Sequence, residues 1–235
     1  MNNMYHYLEQ TELLNFNHSA IQSLIRSRNW ASLSVKEQIL HVYNYVRDEI
    51  EFGYNRGDDI QASEVLQDGY GQCNTKGILF MALLRALGIP CRIHGFTIHK
   101  QLQKGAMNGW YYHLSPKEII HSWIEVLYND RWLNMEGFIV DLPYLHKLQQ
   151  KFKQCTGSFC GYGVATDDFQ NPSIFWNEND TYVQKEGILQ DFGTFDNPDQ
   201  FFTLHPQKLN LIKRMIFSHV VRHLMNRNVR SIRRG

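Results

Sequence analysis

A glycine-bearing turn, a cysteine and a long apolar run stand together in GYGQCNTKGILFMALLRALGIPCRI, residues 69–93. From Cys73 or Asn74 to Leu87 the apolar spacing predicts a helix, and the Gly-Ile-Pro that follows ends it. CRIHGFTI then predicts a strand. Gly69 and Gly71 let the chain enter the helix at backbone angles that other residues avoid. Two readings of Cys73 follow. In one it is a small side chain in a buried helix, as free cysteines commonly are. In the other it is a nucleophile. Unpaired N–H groups and the positive end of the helix dipole favour a thiolate at a helix N-terminus, and they can stabilise an oxyanion on an attacked carbonyl.

A nucleophilic cysteine needs a base, and the base needs an orienting partner. With eleven histidines in the chain, the presence of one decides nothing. His121 is singled out by the hairpin that carries it. IIHSWIEVLYNDRWLNMEGFIV, residues 119–140, predicts two strands around a tight turn at Asn129–Asp130. A two-residue turn sets Trp123 opposite Glu136 and His121 opposite Phe138. Facing and alternate residues share a sheet face, so His121, Trp123, Glu125, Asn134 and Glu136 lie together. Glu136 is then the diagonal neighbour of His121, about 7–8 Å away between backbones, a gap that its side chain can span. A three-residue loop would reverse the parity and leave Asp141 or Asp130 as the acid.

Upstream, SLSVKEQILHVYNYVRDEIEF offers Ser34 and Glu37 as a capping box, followed by a helical stripe through Ile39, Val42, Tyr43 and Val46. QASEVLQ predicts a short helix, and a further helix runs from Pro143 to about Phe152. From there to about Pro206 the chain reads as irregular and rich in glycine and aromatics, and it is expected to cover one side of a cleft. Helices first, then a sheet, then a helical tail indicate an α+β fold.

The domain is expected to span residues 1–206, with residues 207–235 as a basic amphipathic helix packed on it or extending from it. This tail has eight Lys/Arg and no Asp/Glu, so residues 1–206 carry a net −7 although the whole chain is +1. Leu211, Ile212, Met215, Ile216, Val220, Leu224 and Val229 recur near helical spacing. The first expectation is that this apolar side docks on the domain and the charges face solvent, with no nucleic-acid partner. The competing one is that the tail binds nucleic acid or an anionic membrane surface.

Hydrophobic residues make up 43% and charged residues 20%, a balance that excludes a disordered chain. No apolar run approaches the roughly 20 residues of a membrane span. The opening stretch lacks the basic-then-apolar order of a secretory signal. Four cysteines are too few for a disulfide scaffold, so a cytoplasmic, reduced protein is expected. Cys91 reads as a core residue. Cys155 and Cys160 read as free thiols or a redox-labile pair, because a zinc site would need two further ligands and only His146 is near. No EF-hand-like loop occurs, and neither a metal nor another cofactor is expected.

GYGQCNTKGILFMALLRALGIPCRIHGF, HSWIEVLYNDRWLNME and VYNYVRDEIEF together resemble the transglutaminase-like superfamily over roughly residues 35–140. Its pattern is Gly-x-Cys opening a helix that ends near Gly-Ile-Pro-x-Arg, then His-x-Trp-x-Glu-Val, then an acid after a Trp on the next strand. The resemblance implies a papain-like core with the cysteine helix packed on an antiparallel sheet. It puts Cys73 at the nucleophile position, His121 at the base and Glu136 at the acid, where the family most often has Asp. Gln67, six residues before Cys73, has the spacing of a papain-like oxyanion glutamine, and Tyr70 and Trp123 are candidates to line the cleft. Glu125 matches a family position whose role is structural. The implied chemistry is attack of the thiolate on an amide-type carbonyl of a peptide or protein, resolved by water or by an amine. A catalytically silent, peptide- or protein-binding copy is the alternative.

Overall fold

The computed structural model describes residues 4–208 and 210–235. Helices α1 (Ser19–Ser27) and α2 (Val35–Asp48) come first. The expected capping box opens α2: Ser34 Oγ accepts from Glu37 N, and the Glu37 carboxylate accepts from Ser34 N. Ile39, Val42, Tyr43 and Val46 form its buried face. Strand β1 (Glu51–Phe52), helix α3 (Ala62–Asp68) and strand β2 (Tyr70–Gly71) lead into α4 (Cys73–Ala86). β1 and β2 pair in parallel, with Phe52 against Gly71, and hold the turn that precedes Cys73.

The two glycines of that turn serve different ends. Gly69 caps α3 at φ 69°, a left-handed conformation that glycine takes without strain. Gly71 has no such φ, and what it supplies is room. A Cβ there would stand 2.7 Å from Thr75 Oγ1 and 2.9 Å from Lys76 Cγ. Both neighbours are fully buried, and Thr75 Oγ1 is already committed to Asn55 and to Gln72 N, so neither can yield cheaply. Gly71→Ala is therefore expected to destabilise the fold by about 1–3 kcal/mol, the usual range for overpacking. Thermal melting of the purified variant checks it, and an unchanged midpoint would contradict this account.

Helix α4 is buried from Cys73 through Arg85 and lies against β4, α2 and α3. Strands β3 (Cys91–His99), β4 (Glu118–Tyr128) and β5 (Arg131–Met135) follow, with the short α5 (Gly109–Leu114) before β4. The β4–β5 turn is the expected two-residue one, with Asn129 and Asp130 at φ 49° and 59°. Glu125 pairs with Asn134 and Leu127 with Trp132, the register that such a turn dictates. β5 ends at Met135, sooner than the sequence suggests, because Glu136 N donates to Thr181 O instead of continuing the ladder. Asp141 caps α6 (Leu142–Lys151) through Tyr144 N.

The stretch expected to be irregular contains a hairpin, β6 (Phe159–Gly161) with β7 (Val164–Thr166), then β8 (Ile188–Phe195) and α7 (Pro198–Leu204). β8 pairs antiparallel with β3 and completes a four-stranded sheet in the order β5-β4-β3-β8. It gives little sequence signal because no residue of this edge strand is buried and two register shifts interrupt its pairing. The fold is α+β, with the cysteine helix packed on an antiparallel sheet.

The tail forms α8 (Leu211–Ile216), a wide π turn over Phe217–Val221, and α9 (Arg222–Arg234). Its docking face differs from the expected one. Val221, Met225 and Val229 are buried, whereas Leu211, Ile212, Met215, Ile216, Val220 and Leu224 face solvent. The chain carries two apolar stripes one residue apart, and the π turn keeps Phe217, Val221 and Met225 in line on the inner one. Polar anchors fix this choice. Asn226 accepts from Tyr54 N at 2.7 Å and donates to Tyr54 O at 2.9 Å. Arg233 pairs with the buried Asp141 at 2.6 Å and with Glu51 at 3.1 Å. Among the described residues, no helix is long and apolar enough to cross a membrane.

Candidate active site

Helix α4 starts on a glutamine rather than on one of the short polar caps. Gln72 Oε1 accepts from Asn74 N and from the Cys73 thiol, each at 2.8 Å, while Gln72 N donates to Thr75 Oγ1 at 3.0 Å. The carboxylate of Asp58 accepts from Gln72 Nε2 and so fixes the amide. Asn74 fastens the same turn to β4. Its amide nitrogen donates to Ile120 O at 3.1 Å, and its oxygen accepts from the Ser122 hydroxyl at 2.9 Å. Those contacts fall on the two neighbours of His121, so the first turn of α4 and the histidine are set by one network.

His121 and Glu136 are both fully buried, with His121 Nε2 2.8 Å from Glu136 Oε1. The other carboxylate oxygen accepts from Val183 N and Gln184 N, each at 2.8 Å. Every carboxylate contact is thus a charge-assisted or backbone hydrogen bond in a water-free setting. Glutamate reaches the imidazole here because its backbone has already left the β4–β5 ladder.

His121 Nδ1 is buried without a hydrogen-bond partner. With Nε2 committed to Glu136, Nδ1 is the nitrogen left to face Cys73. Burial pushes the His121 pKa down, but a Cys73 thiolate and then the Glu136 carboxylate outweigh it and lift the value to about 10. The arrangement favours a protonated His121 at neutral pH. Cys91 is sealed in β3, and burial pushes its thiol up.

A cleft of about 290 Å³ opens beside Cys73. Gln72 and Asp58 line it beside the cysteine, with Trp110, Phe202 and, from the tail, Phe217 and Met225. The structure does not bring three other candidates to this cleft. Gln67 is exposed on α3. The Tyr70 hydroxyl meets Arg222 of the tail at 3.4 Å. Trp123 is buried between Phe96 and Tyr182, with ring centroids 4.2 and 5.5 Å away. Glu125 binds Arg92 at 2.6 Å and His94 at 2.7 Å rather than His121. Asp141 serves Arg233 and the α6 cap, and Asp130 sits in the hairpin turn.

Residues 25–137 match the family model described as the transglutaminase-like superfamily. This segment belongs to that superfamily. Two solved structures are similar to this chain. One is a presumed cysteine protease from Cytophaga hutchinsonii, 13% identical with a TM-score of 0.48, matched over 85% of this chain and 49% of that one. The other is red sea bream transglutaminase, 16% identical with a TM-score of 0.31, matched over 57% of this chain and 25% of that one. The chain therefore spans about half the length of the first and a quarter of the second. No curated protein matches it.

Sequence reasoning missed Gln72, although its position beside Cys73 was a signal. It also missed the part played by residues 183–184, which act through backbone amides and so have no side-chain signature. The matched segment contains Cys73, His121 and Glu136 but neither the amides that hold Glu136 nor the tail residues over the cleft.

Proposed function

We propose that this transglutaminase-like protein is a thiol enzyme that acts on amide-type carbonyls through a Cys73 acyl-enzyme. The observation that carries the reading is His121, sealed from water, bonded through Nε2 to Glu136 and left with a free Nδ1 toward Cys73. A buried imidazole with one unused nitrogen beside a thiol has little value for stability, since an unmet polar group costs free energy. It has direct value for proton transfer.

In the first half-reaction the Cys73 thiolate attacks the carbonyl carbon and a C–S bond forms. The oxygen takes up the displaced electron pair, within reach of the Cys73 backbone N–H, which as the first helical residue has no intrahelical acceptor. The imidazolium passes its proton to the leaving nitrogen, the C–N bond breaks and a neutral amine departs. In the second half, His121 takes a proton from water or from an incoming amine as that nucleophile attacks the thioester. The C–S bond then breaks and restores the thiolate–imidazolium pair. Glu136 keeps the ring oriented throughout and offsets its charge.

The test is a library of glutamine- and asparagine-containing peptides incubated with wild type and Cys73→Ala, with and without an added alkylamine. Ammonia release, chain cleavage and amine incorporation report deamidase, peptidase and transferase activity respectively. At least one of these products is expected from wild type and none from Cys73→Ala. No Cys73-dependent product at all would favour a silent binding module.

A further inference from the structure

The cleft beside Cys73 is walled mainly by apolar side chains, and the family match includes only part of that wall. Tyr54, Met107, Trp110, Tyr111 and Ile119 lie within the matched segment, whereas Phe202 comes from α7, and Phe217, Val221 and Met225 come from the tail. Polar groups line it too: the amide of Gln72 is held between the thiol, Asn74 N and Asp58 at the cysteine end, and Lys213 and Arg214 of the tail border it, with Arg214 3.5 Å from Asp59. The volume of about 290 Å³ is at the small end of ligand sites, which run roughly 300–1,000 Å³, and suits one bulky group rather than a long chain. The tail's inner stripe is anchored here by Asn226 and Arg233, so this wall is part of the folded protein.

We propose that the tail builds a specificity subsite: the cleft takes a large, uncharged apolar group that adjoins the reacting carbonyl, gripped by Phe217, Val221 and Met225 against Met107, Ile119 and Phe202. The proposal rests on Cys73 being a nucleophile. It adds a tail-built side to the wall that the matched segment begins, and with it a means of choosing among amides. Against Phe217, Val221 and Met225 a primary carboxamide would find no partner, whereas aliphatic or aromatic groups would shed their hydration there.

The experiment alkylates the full chain with iodoacetamide and with N-hexyl-iodoacetamide, and reads the rate at each cysteine by peptide mass spectrometry. The exposed Cys160 supplies the intrinsic reactivity of each probe. Each buried methylene is worth about fourfold, so burial of two or three predicts that the hexyl probe labels Cys73 at least about tenfold faster than iodoacetamide, relative to Cys160. That preference is expected to saturate with probe concentration. In Phe217→Ala the hexyl-to-plain ratio should fall several-fold. Phe202→Ala, on a different element, should lower the same ratio and guards against local unfolding of the tail. Selective labelling of Cys73 with a hexyl-to-plain ratio near that of Cys160 would overturn the subsite and leave the thiol-enzyme reading intact. No selectivity for Cys73 with either probe would overturn both.

Discussion

Glu136→Gln is expected to lower the turnover of any Cys73-dependent substrate by about 10²–10⁴-fold, the span covered by positioned acid–base groups and their orienting partners. The amide can still accept from Val183 N and Gln184 N through its oxygen, so the fold should be largely kept. Its other end then presents an N–H₂ donor to His121 Nε2 where a carboxylate had accepted. That reverses the hydrogen bond and removes the charge that supports the imidazolium. Glu136→Ala goes further, because both backbone amides are left buried and bare, at about 1–3 kcal/mol each. Steady-state rates and thermal melts of the two variants separate the effects: Gln should lose activity with little change in midpoint, and Ala should lose both. A Gln variant with wild-type turnover would remove Glu136 from the mechanism.

His121→Ala should sharply slow the labelling of Cys73 by iodoacetamide relative to the exposed Cys160 below about pH 7.5, because the cation that favours the thiolate is gone. The pH dependence of the wild type follows from the same pair. With its pKa lifted to about 10, His121 is protonated through the neutral range and gives up its proton only as the pH rises through that value. Above it the leaving nitrogen has no acid to protonate it, so acylation is expected to fall on the alkaline side near pH 10. An alkaline limb near the ordinary histidine value of about 6.5 would mean that Cys73 and Glu136 do not hold the proton there. Pre-steady-state acylation rates across pH, with Cys73→Ala as blank, provide the reading.

The pattern of the chain reached the hairpin turn and its register, but not the early end of β5. Two residues between the strands, both able to take positive φ, leave one register, and Glu136, one residue past the paired part of β5, reaches His121 through its side chain. The helix at Cys73 was equally legible, since its apolar run and its Gly-Ile-Pro stop are local signals. Gln67 was misplaced because spacing from the cysteine says nothing of which way α3 turns its face. The tail's docking stripe was misread because two apolar stripes lie one residue apart, and a π turn chose between them.

The sequence by itself determined a thiol, an imidazole and a carboxylate on a helix start and a tight hairpin, because each depends on contacts between near neighbours. The tertiary structure alone decided what completes them. Backbone amides at Val183 and Gln184 hold Glu136, Asp58 and Gln72 set the polar end of the cleft, and Phe217 and Met225 form its wall. Those partners lie up to about 150 residues from Cys73 in the chain. Backbone donors look alike at every residue, and an apolar stripe does not name what it will pack against. Only the folded chain brings them to the cysteine.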